Sequence, residues 1–379
     1  MFFPGVRRRA FHLPHAVVPF TLGITAIVLT LFGWALFAPS RAGESGLSIA
    51  GPGPGSLRSV AYTVPGPTTD DVVIQPISRV TAPRVVASFP NGGEHWPHAH
   101  GLASRQGDAL AVLWLPLFST SANLTLVDIE RGVSRDVAGE FDYYSYLAWA
   151  PDGSRLAAVA EPTGDPGLTT VVEVDRRTLA VVPVAEFSSA LEVVPLGYSL
   201  DSGRLFIVVV DQRGSNLYVE ADGKVELVAE LSPGRTEGWA LSPDGSRVAF
   251  TDVLSGGSRT HVGRTLVIAT GAITTLPATK NQIGSSWMPG SPIPAFGGPG
   301  GSLQLTDPAP DAAYLVPQAW SPDGSHVAAM VYSEGAERLG KPSTALEIIS
   351  RASASSPSVR ARLSTTPGAA FLGFVRDLN

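Results

Sequence analysis

A twelve-residue stretch, Trp239-Ala-Leu-Ser-Pro-Asp-Gly-Ser-Arg-Val-Ala-Phe250, constrains this chain more than any other. Ser-Pro-Asp-Gly is a reversal with a mechanism: proline pre-sets φ near −65°, aspartate tolerates the next turn position, and glycine takes the positive φ that closes a type I turn with a bulge. Trp239 and Leu241 then share one face of the strand before the turn, and Val248 and Phe250 share the same face after it. The stretch is a β-hairpin with one apolar side. It recurs at Trp149–Val159 and Trp320–Met330 and, in worn form, at Tyr198–Ile207 and Ser104–Val112. The poorest copy is Trp287–Phe296, whose extra prolines weaken strand pairing.

The turns recur every ~40–50 residues, the period of a propeller or another stacked array. Between the hairpins lies a second unit of four to six alternating or apolar residues, as in Leu124–Ile129, Val171–Asp175, Leu217–Gly223, Leu266–Gly271, Leu303–Asp307 and Leu346–Ile349. A further short strand usually follows each. Every period therefore holds four strands. Long amphipathic helices are absent from residues 68–379. The expected fold is all-β, a β-propeller. An isolated strand pair, Val72–Ile77 with Val85–Phe89, precedes the first full repeat, and a lone strand, Ala369–Val375, follows the last. Together they would close one blade from both ends of the chain and remove the open sheet edges. The count is seven blades, or six if the Trp287 hairpin is a loop.

Upstream, Arg7, Arg8 and Arg9 precede Ala16–Ala38, a run free of charges. At ~1.5 Å per residue this run spans about 34 Å as a helix, enough for a bilayer core of about 30 Å. It exceeds the ~7–15 apolar residues of a cleaved signal, and Ser40-Arg41-Ala42 is a weak cleavage site. We expect residues 1–15 as a cytoplasmic basic tail and 16–38 as a single-pass transmembrane signal anchor. Residues 39–67 are expected as a Gly/Pro/Ser-rich linker and 68–379 as the propeller on the extracytoplasmic side. The alternative is secretion after cleavage. With no cysteine, the fold is held without disulfides. A formal net charge of −6 with 16% charged residues argues against nucleic acid as a partner.

The Trp-Ser/Ala-Pro-Asp-Gly-Ser-Arg/His run resembles the WD40-like PD40 repeat of TolB-type propellers. Trp149–Val159, Trp239–Phe250 and Trp320–Met330 match well, and the other copies match in phase over about residues 72–375. The resemblance implies a bacterial β-propeller. Members of this group serve as periplasmic adaptors and as non-catalytic domains of prolyl-peptidase-like enzymes. The α/β domain that precedes the propeller in TolB is replaced here by the apolar run and linker.

The motif residues read as structural. Asp152, Asp244 and Asp323 serve their own turns, and Trp149, Trp239 and Trp320 pack the core. No Gly-x-Ser-x-Gly, His-Glu-x-x-His or P-loop occurs, so the chain is expected not to be an enzyme. The binding candidates lie in two loops. Asn91–Gly101 carries Glu94, His95, His98 and His100. His98 and His100 share a face if extended and can hold Zn²⁺ or Cu²⁺. The plainer reading is a polar loop with ordinary hydrogen bonds, and no cofactor is required. Phe141–Tyr146 offers Tyr143, Tyr144 and Tyr146. In a propeller the loops entering each first hairpin and those joining its two hairpins open on one face, while the short Pro-Asp-Gly turns occupy the other. The expected function is a membrane-anchored sensor, scaffold or binding module whose protein or cell-envelope ligand docks on the long-loop face. The alternative is a propeller hydrolase or lyase with a metal, such as Ca²⁺, in its central channel.

Overall fold

The computed structural model describes residues 57–77, 82–91, 99–162, 167–200, 203–254, 260–305, 314–333, 343–351 and 360–377. Among these residues the chain is all-β, with only a 3-10 turn at Pro277–Thr279 besides strands. Sheet I contains β1 (Ser59–Pro65), β2 (Thr69–Pro76) and β3 (Arg84–Pro90). Sheet II follows with β4 (Ala99–Ala103), β5 (Ala109–Trp114), β6 (Ala122–Asp128) and β7 (Val133–Phe141). Sheet III has β8 (Ala148–Trp149), β9 (Arg155–Ala160), β10 (Leu168–Asp175) and β11 (Val181–Ser188). Sheet IV has β12 (Glu192–Tyr198), β13 (Leu205–Asp211), β14 (Gly214–Ala221) and β15 (Lys224–Ser232). Sheet V has β16 (Thr236–Leu241), β17 (Arg247–Leu254), β18 (Thr260–Val267) and β19 (Ala272–Leu276). Sheet VI has β20 (Ile283–Ser286), β21 (Ala295–Gly298) and β22 (Gly301–Leu303). Sheet VII has β23 (Tyr314–Trp320), β24 (His326–Tyr332), β25 (Ala345–Ser350) and β26 (Arg360–Ser364). The last strand, β27 (Ala370–Val375), returns to sheet I and lies antiparallel to β1, giving the order β27-β1-β2-β3. Every sheet is an antiparallel meander, and sheets II and III are joined through a single pairing, Phe141 with Ala160.

The opening repeat forms as its sequence dictates. In the Ser242–Arg247 turn, Gly245 sits at φ +70° and donates its N–H to the Ser242 carbonyl at 2.8 Å. Ser242 Oγ donates to Asp244 Oδ1 at 2.6 Å and accepts from Arg247 N at 2.8 Å. Asp244 Oδ1 also accepts from Ser246 N and Oγ. Asp323 repeats this pattern with Ser321 and Ser325. Asp152 takes the N–H and hydroxyl of Ser154. The three aspartates thus spend their carboxylates inside their own turns, and these bonds hold each below the usual carboxylate range against the opposing effect of partial burial. The Trp287 hairpin pairs as well, β20 with β21.

Burial follows the two-residue period of a strand covered on both faces. In β13, Leu205, Ile207 and Val209 pack with residues of sheet III, while Phe206, Val208 and Val210 pack with residues of sheet V. Trp239, Leu241, Val248 and Phe250 all fall in that second cluster. Further apolar clusters join sheets I and II, II and III, V and VI, and VI and VII. Another gathers Val60, Tyr62, Phe371 and Phe374 of sheet I with Val316, Met330 and Leu346 of sheet VII. Trp149 and Trp287 each donate their indole N–H to a carbonyl of the preceding sheet, Leu102 at 3.1 Å and Ala240 at 3.0 Å.

The boundary of the folded region needs correcting. Ser59–Pro65 falls within the stretch expected as linker, yet it forms β1, and Val60, Ala61 and Tyr62 are fully buried. Flanking Gly and Pro masked a seven-residue strand that pairs on both sides, with β2 and β27. The apolar run 16–38 lies outside the described residues. Among those described, no helix is long and apolar enough to cross a membrane.

Candidate functional site

Connections between antiparallel strands alternate between the two ends of a meander. The links from first to second and third to fourth strand lie at one end. The links from second to third strand, and from each sheet to the next, lie at the other. The second end carries a cleft of about 390 Å³. Its wall comes from the sheet II–III connection (Asp142, Tyr144, Tyr146), the III–IV connection (Leu191), the β13–β14 link (Asp211, Gln212), the IV–V connection (Pro233, Arg235) and the first residues of β12 and β16 (Glu192, Glu237, Trp239).

Local bonds set this geometry. Asp142 Oδ1 accepts the Tyr144 N–H at 2.9 Å, which coils the loop and turns both tyrosines. Ser145 Oγ donates to the Val193 carbonyl at 3.3 Å and ties the loop to sheet IV. The Tyr146 ring stands edge-on to Trp239 at 6.0 Å, and the Trp239 indole N–H is held by Thr236 Oγ1 at 2.8 Å.

The cleft is rich in carboxylates. Glu192 lies 3.1 Å from Arg235. Burial nevertheless pushes its carboxyl up to about 7, with Arg235 opposing and the charges of Glu237 and Asp142 adding to the rise. Asp142 is also raised, by burial against the single opposing Tyr144 N–H. Beside it, Glu161 is raised by burial and then by the Asp142 and Glu140 charges. Glu237 is more than nine-tenths buried. His261 Nε2 stands 3.2 Å from Glu237 Oε1, an oxygen with no hydrogen-bond partner besides that ion pair among the described residues.

The expected site residues divide. Tyr144 and Tyr146 line the cleft. Tyr143 does not; it is buried and packs edge-on against His100 at 4.9 Å. His100 is only 2% exposed, and its Nε2 meets the Tyr143 carbonyl at 2.5 Å. The end of the histidine loop and the tyrosine loop are therefore neighbours on one end of the sheets. Glu94, His95 and His98 lie outside the described residues, so the metal pair of His98 with His100 is not formed by described atoms. No group of three or more His, Asp or Glu able to hold a metal occurs among the described residues. Sequence reading missed Asp142, Glu192, Arg235 and Glu237, which come from two connections and from the first residues of β12 and β16. Only their position next to first strands of the repeat would have flagged them.

The same end bears exposed apolar residues. Phe118, in the β5–β6 link, is 96% exposed at φ +62°. A brace formed by Ser119 N with the Pro116 carbonyl and Ser119 Oγ with the Ser121 carbonyl holds that tip. Leu117, Leu191 and Leu254 are exposed in links at this end as well. The opposite end is less plain than the uniform turns led us to expect. Arg131, Arg135, Arg176 and Arg177 line a second cleft with Asp128, Asp152 and Asp175, because the third-to-fourth strand turns add charge beside the Pro-Asp-Gly turns.

No family model matches the chain, and no curated protein matches it. Solved structures do. TolB from Acinetobacter baumannii superposes with a TM-score of 0.50 at 15% identity, over 83% of this chain and 66% of that one. A prolyl endopeptidase gives 0.56 at 14% identity, over 93% of this chain and 56% of that one. The β-propeller domain of the Trilobed protease from Pyrococcus furiosus gives 0.53 at 13% identity, over 82% and 93%. The chain thus spans about two thirds of TolB and little more than half of the endopeptidase. At such identities the likeness is one of fold, and the fold is that of a TolB-like β-propeller.

Proposed function

We propose that this chain is a non-enzymatic binding module, a closed seven-bladed propeller whose long-loop face receives a protein or cell-envelope ligand. Seven successive meanders, with an apolar cluster between each neighbouring pair and one between the last and the first, support the blade count and the closure. The pairing of β27 with β1 supports closure from both ends of the chain. Residues 16–38 would anchor the module in a bacterial cell membrane with the propeller outside; charge-free length and the arginines before it support that orientation.

The observation that carries the binding role is the long-loop end itself. It carries a cleft of about 390 Å³ and, on the β5–β6 link, a braced loop that holds Phe118 out in solvent in a left-handed conformation. An exposed, preorganised aromatic on the same end as a concave polar cleft is what a contact surface needs. A second reading, a hydrolase or lyase, draws on Glu192, whose carboxyl near 7 inside a cleft suits general acid–base work. The test is in-cell crosslinking from the long-loop end followed by mass spectrometry, with membrane fractionation and intact mass of the same preparation. Capture of one dominant partner, lost with alanine at Phe118 and Tyr144, supports the binding module. Equal capture from the Pro-Asp-Gly turns would sink it, and a soluble product starting near Gly43 would remove the anchor.

A further inference from the structure

We propose that the short-turn end of the molecule, which carries the Pro-Asp-Gly turns, rests on the membrane surface. Arg131, Arg135 and Arg177 meet anionic lipid headgroups there, and the long-loop face points away from the bilayer. This rests on the anchor proposed above. The chain enters the fold at the short-turn end. Leu57, the first described residue, is buried against the β4–β5 turn, where a Cβ on Gly107 would stand 2.5 Å from Leu57 Cδ2. From there β1 runs toward the long-loop end, because it is the second strand of its sheet and its link to β2 lies at that end. The described chain also leaves at the short-turn end. Arg376 N donates to the Gly107 carbonyl at 3.0 Å, and Arg376 Nε donates to the Gln106 carbonyl at 3.0 Å. Residues 39–56, between the proposed anchor and Leu57, reach at most ~65 Å at full extension. A tether of that reach gives headgroups a high effective concentration at the end it joins, so weak contacts there become occupied.

The arginine cleft adjoins this entry. Arg376 Nη1 lies 2.6 Å from Glu130 Oε1, and Glu130 sits in the β6–β7 turn beside Arg131. The Arg131 side chain is 81% exposed, and Arg135 and Arg177 are exposed as well. Arg135 donates from its guanidinium to the Arg177 and Arg176 carbonyls, at 3.1 and 2.6 Å. Carbonyls rather than a carboxylate thus fix its charge at the surface. Arg176 is committed to Asp108 at 3.0 Å. The aspartates of the cleft bond to their own turns: Asp128 accepts from Arg131 N, Asp152 from Ser154, and Asp175 from Arg177 N and Thr178. What remains toward solvent is a set of guanidinium forks, whose geometry matches phosphate oxygens. Arg84, exposed at the start of β3, adds a further cation at this end. The long-loop end has the opposite character. Asp142, Glu192, Asp211 and Glu237 crowd its cleft, against Arg235 within it and Arg213 at its edge. Lipid phosphates repel that end and attract the other, and each arginine near the surface adds to the attraction.

The test uses the full chain in vesicles, with a single cysteine introduced into a sequence that has none. Ser134→Cys lies beside the arginines, and Gln212→Cys lies in the β13–β14 link at the long-loop end. A membrane-impermeant fluorescent maleimide labels the outward-facing molecules, and a nitroxide on the lipid headgroup quenches any label that approaches it. The vesicles hold phosphatidylethanolamine with either phosphatidylglycerol or, as the neutral counterpart, phosphatidylcholine. We expect at least threefold stronger quenching of Ser134→Cys than of Gln212→Cys in the anionic vesicles. The ratio should fall at least twofold in the neutral vesicles and at high salt. It should fall equally in the double variant Arg131→Gln/Arg177→Gln, whose lost side chains make no hydrogen bond among the described residues. Lys280→Gln, at an exposed cation of the long-loop end, should leave it unchanged. An equal or reversed ratio overturns the orientation. An unchanged ratio in neutral vesicles or in the double variant overturns the headgroup contact. Loss of the ratio to inorganic phosphate but not to chloride of equal ionic strength overturns lipid as the source of the anion. If alkaline carbonate strips the chain from the vesicles, the anchor reading falls and the tethered orientation with it. If the chain resists carbonate and the two labels are quenched alike, the anchor stands and the orientation alone falls.

Discussion

Replacing Glu192 by glutamine should stabilise the protein at alkaline pH and do nothing at acid pH. The carboxyl moves from an ordinary 4.5 to about 7 on folding, chiefly through burial. At about 1.4 kcal/mol per pH unit this corresponds to roughly 3 kcal/mol against the folded, ionised state. The side chain keeps 28% of its surface open at the cleft mouth; water and salt there reduce the expected gain to roughly 1–2 kcal/mol. The sign follows from proton counting. Below about pH 4.5 both states hold the proton, and the variant gains nothing. Between about 4.5 and 7 the unfolded chain ionises while the folded chain resists, so wild-type stability falls with rising pH. Above 7 the penalty is complete. Melting curves of both proteins from pH 4 to pH 9 should coincide at the acid end and separate by about 2–4 °C at the alkaline end. Parallel curves, or a less stable variant at pH 8, would refute the assignment of Glu192 as a carboxylate held neutral by burial.

Gly245→Val should lower stability by roughly 1–3 kcal/mol, since a β-branched residue is strained at φ +70° and its Cβ would already stand 3.4 Å from Ser199 Cα. Ser246→Ala, at an exposed position, should cost under about 1 kcal/mol; equal denaturant midpoints would contradict the turn. His100→Ala should lose about 1–3 kcal/mol through a cavity and an unmet contact with the Tyr143 carbonyl, so its effect on ligand capture cannot be read without a melting curve. Phe118→Gly should leave stability equal or higher by a few tenths of a kcal/mol, because glycine accepts the left-handed conformation, while crosslinked partner is lost; a clear drop in melting temperature would mean that Phe118 packs.

Much of the fold was legible because its signals are local. Ser242-Pro-Asp-Gly245 encodes its own turn bonds, and the alternation Leu205, Phe206, Ile207, Val208 encodes a strand covered on both faces. β1 was not legible, because Pro65, Gly66 and the preceding Gly-Pro run look like linker, and its partners are β2 and the remote β27. The loop end was legible in outline: Tyr144 and Tyr146 line the cleft. Its carboxylates were not. Asp142, Glu192 and Glu237 are isolated in sequence, and their shared electrostatics exist only once three sheets stand side by side. His100 looked like a ligand because histidine is scarce here, but a histidine can equally hold a neighbouring loop, as its contact with the Tyr143 carbonyl does.

The pairing of β27 with β1 has a temporal side. Ser59 finds Val375, and Thr63 finds Ala370, about three hundred residues later in synthesis. Until those residues have been made, β1 presents an unpaired edge, and Val60 and Tyr62 lack Phe371 and Phe374 from the same cluster. The earlier sheets can pack in order of synthesis, each on its predecessor, but the first sheet waits for the last strand. A chain stalled before Ala370 would therefore be largely structured and yet carry a bare edge suited to pairing with a second nascent copy. That makes Ala370–Val375 a point of quality control: their arrival converts an aggregation-prone intermediate into a molecule with both flanks of β1 protected.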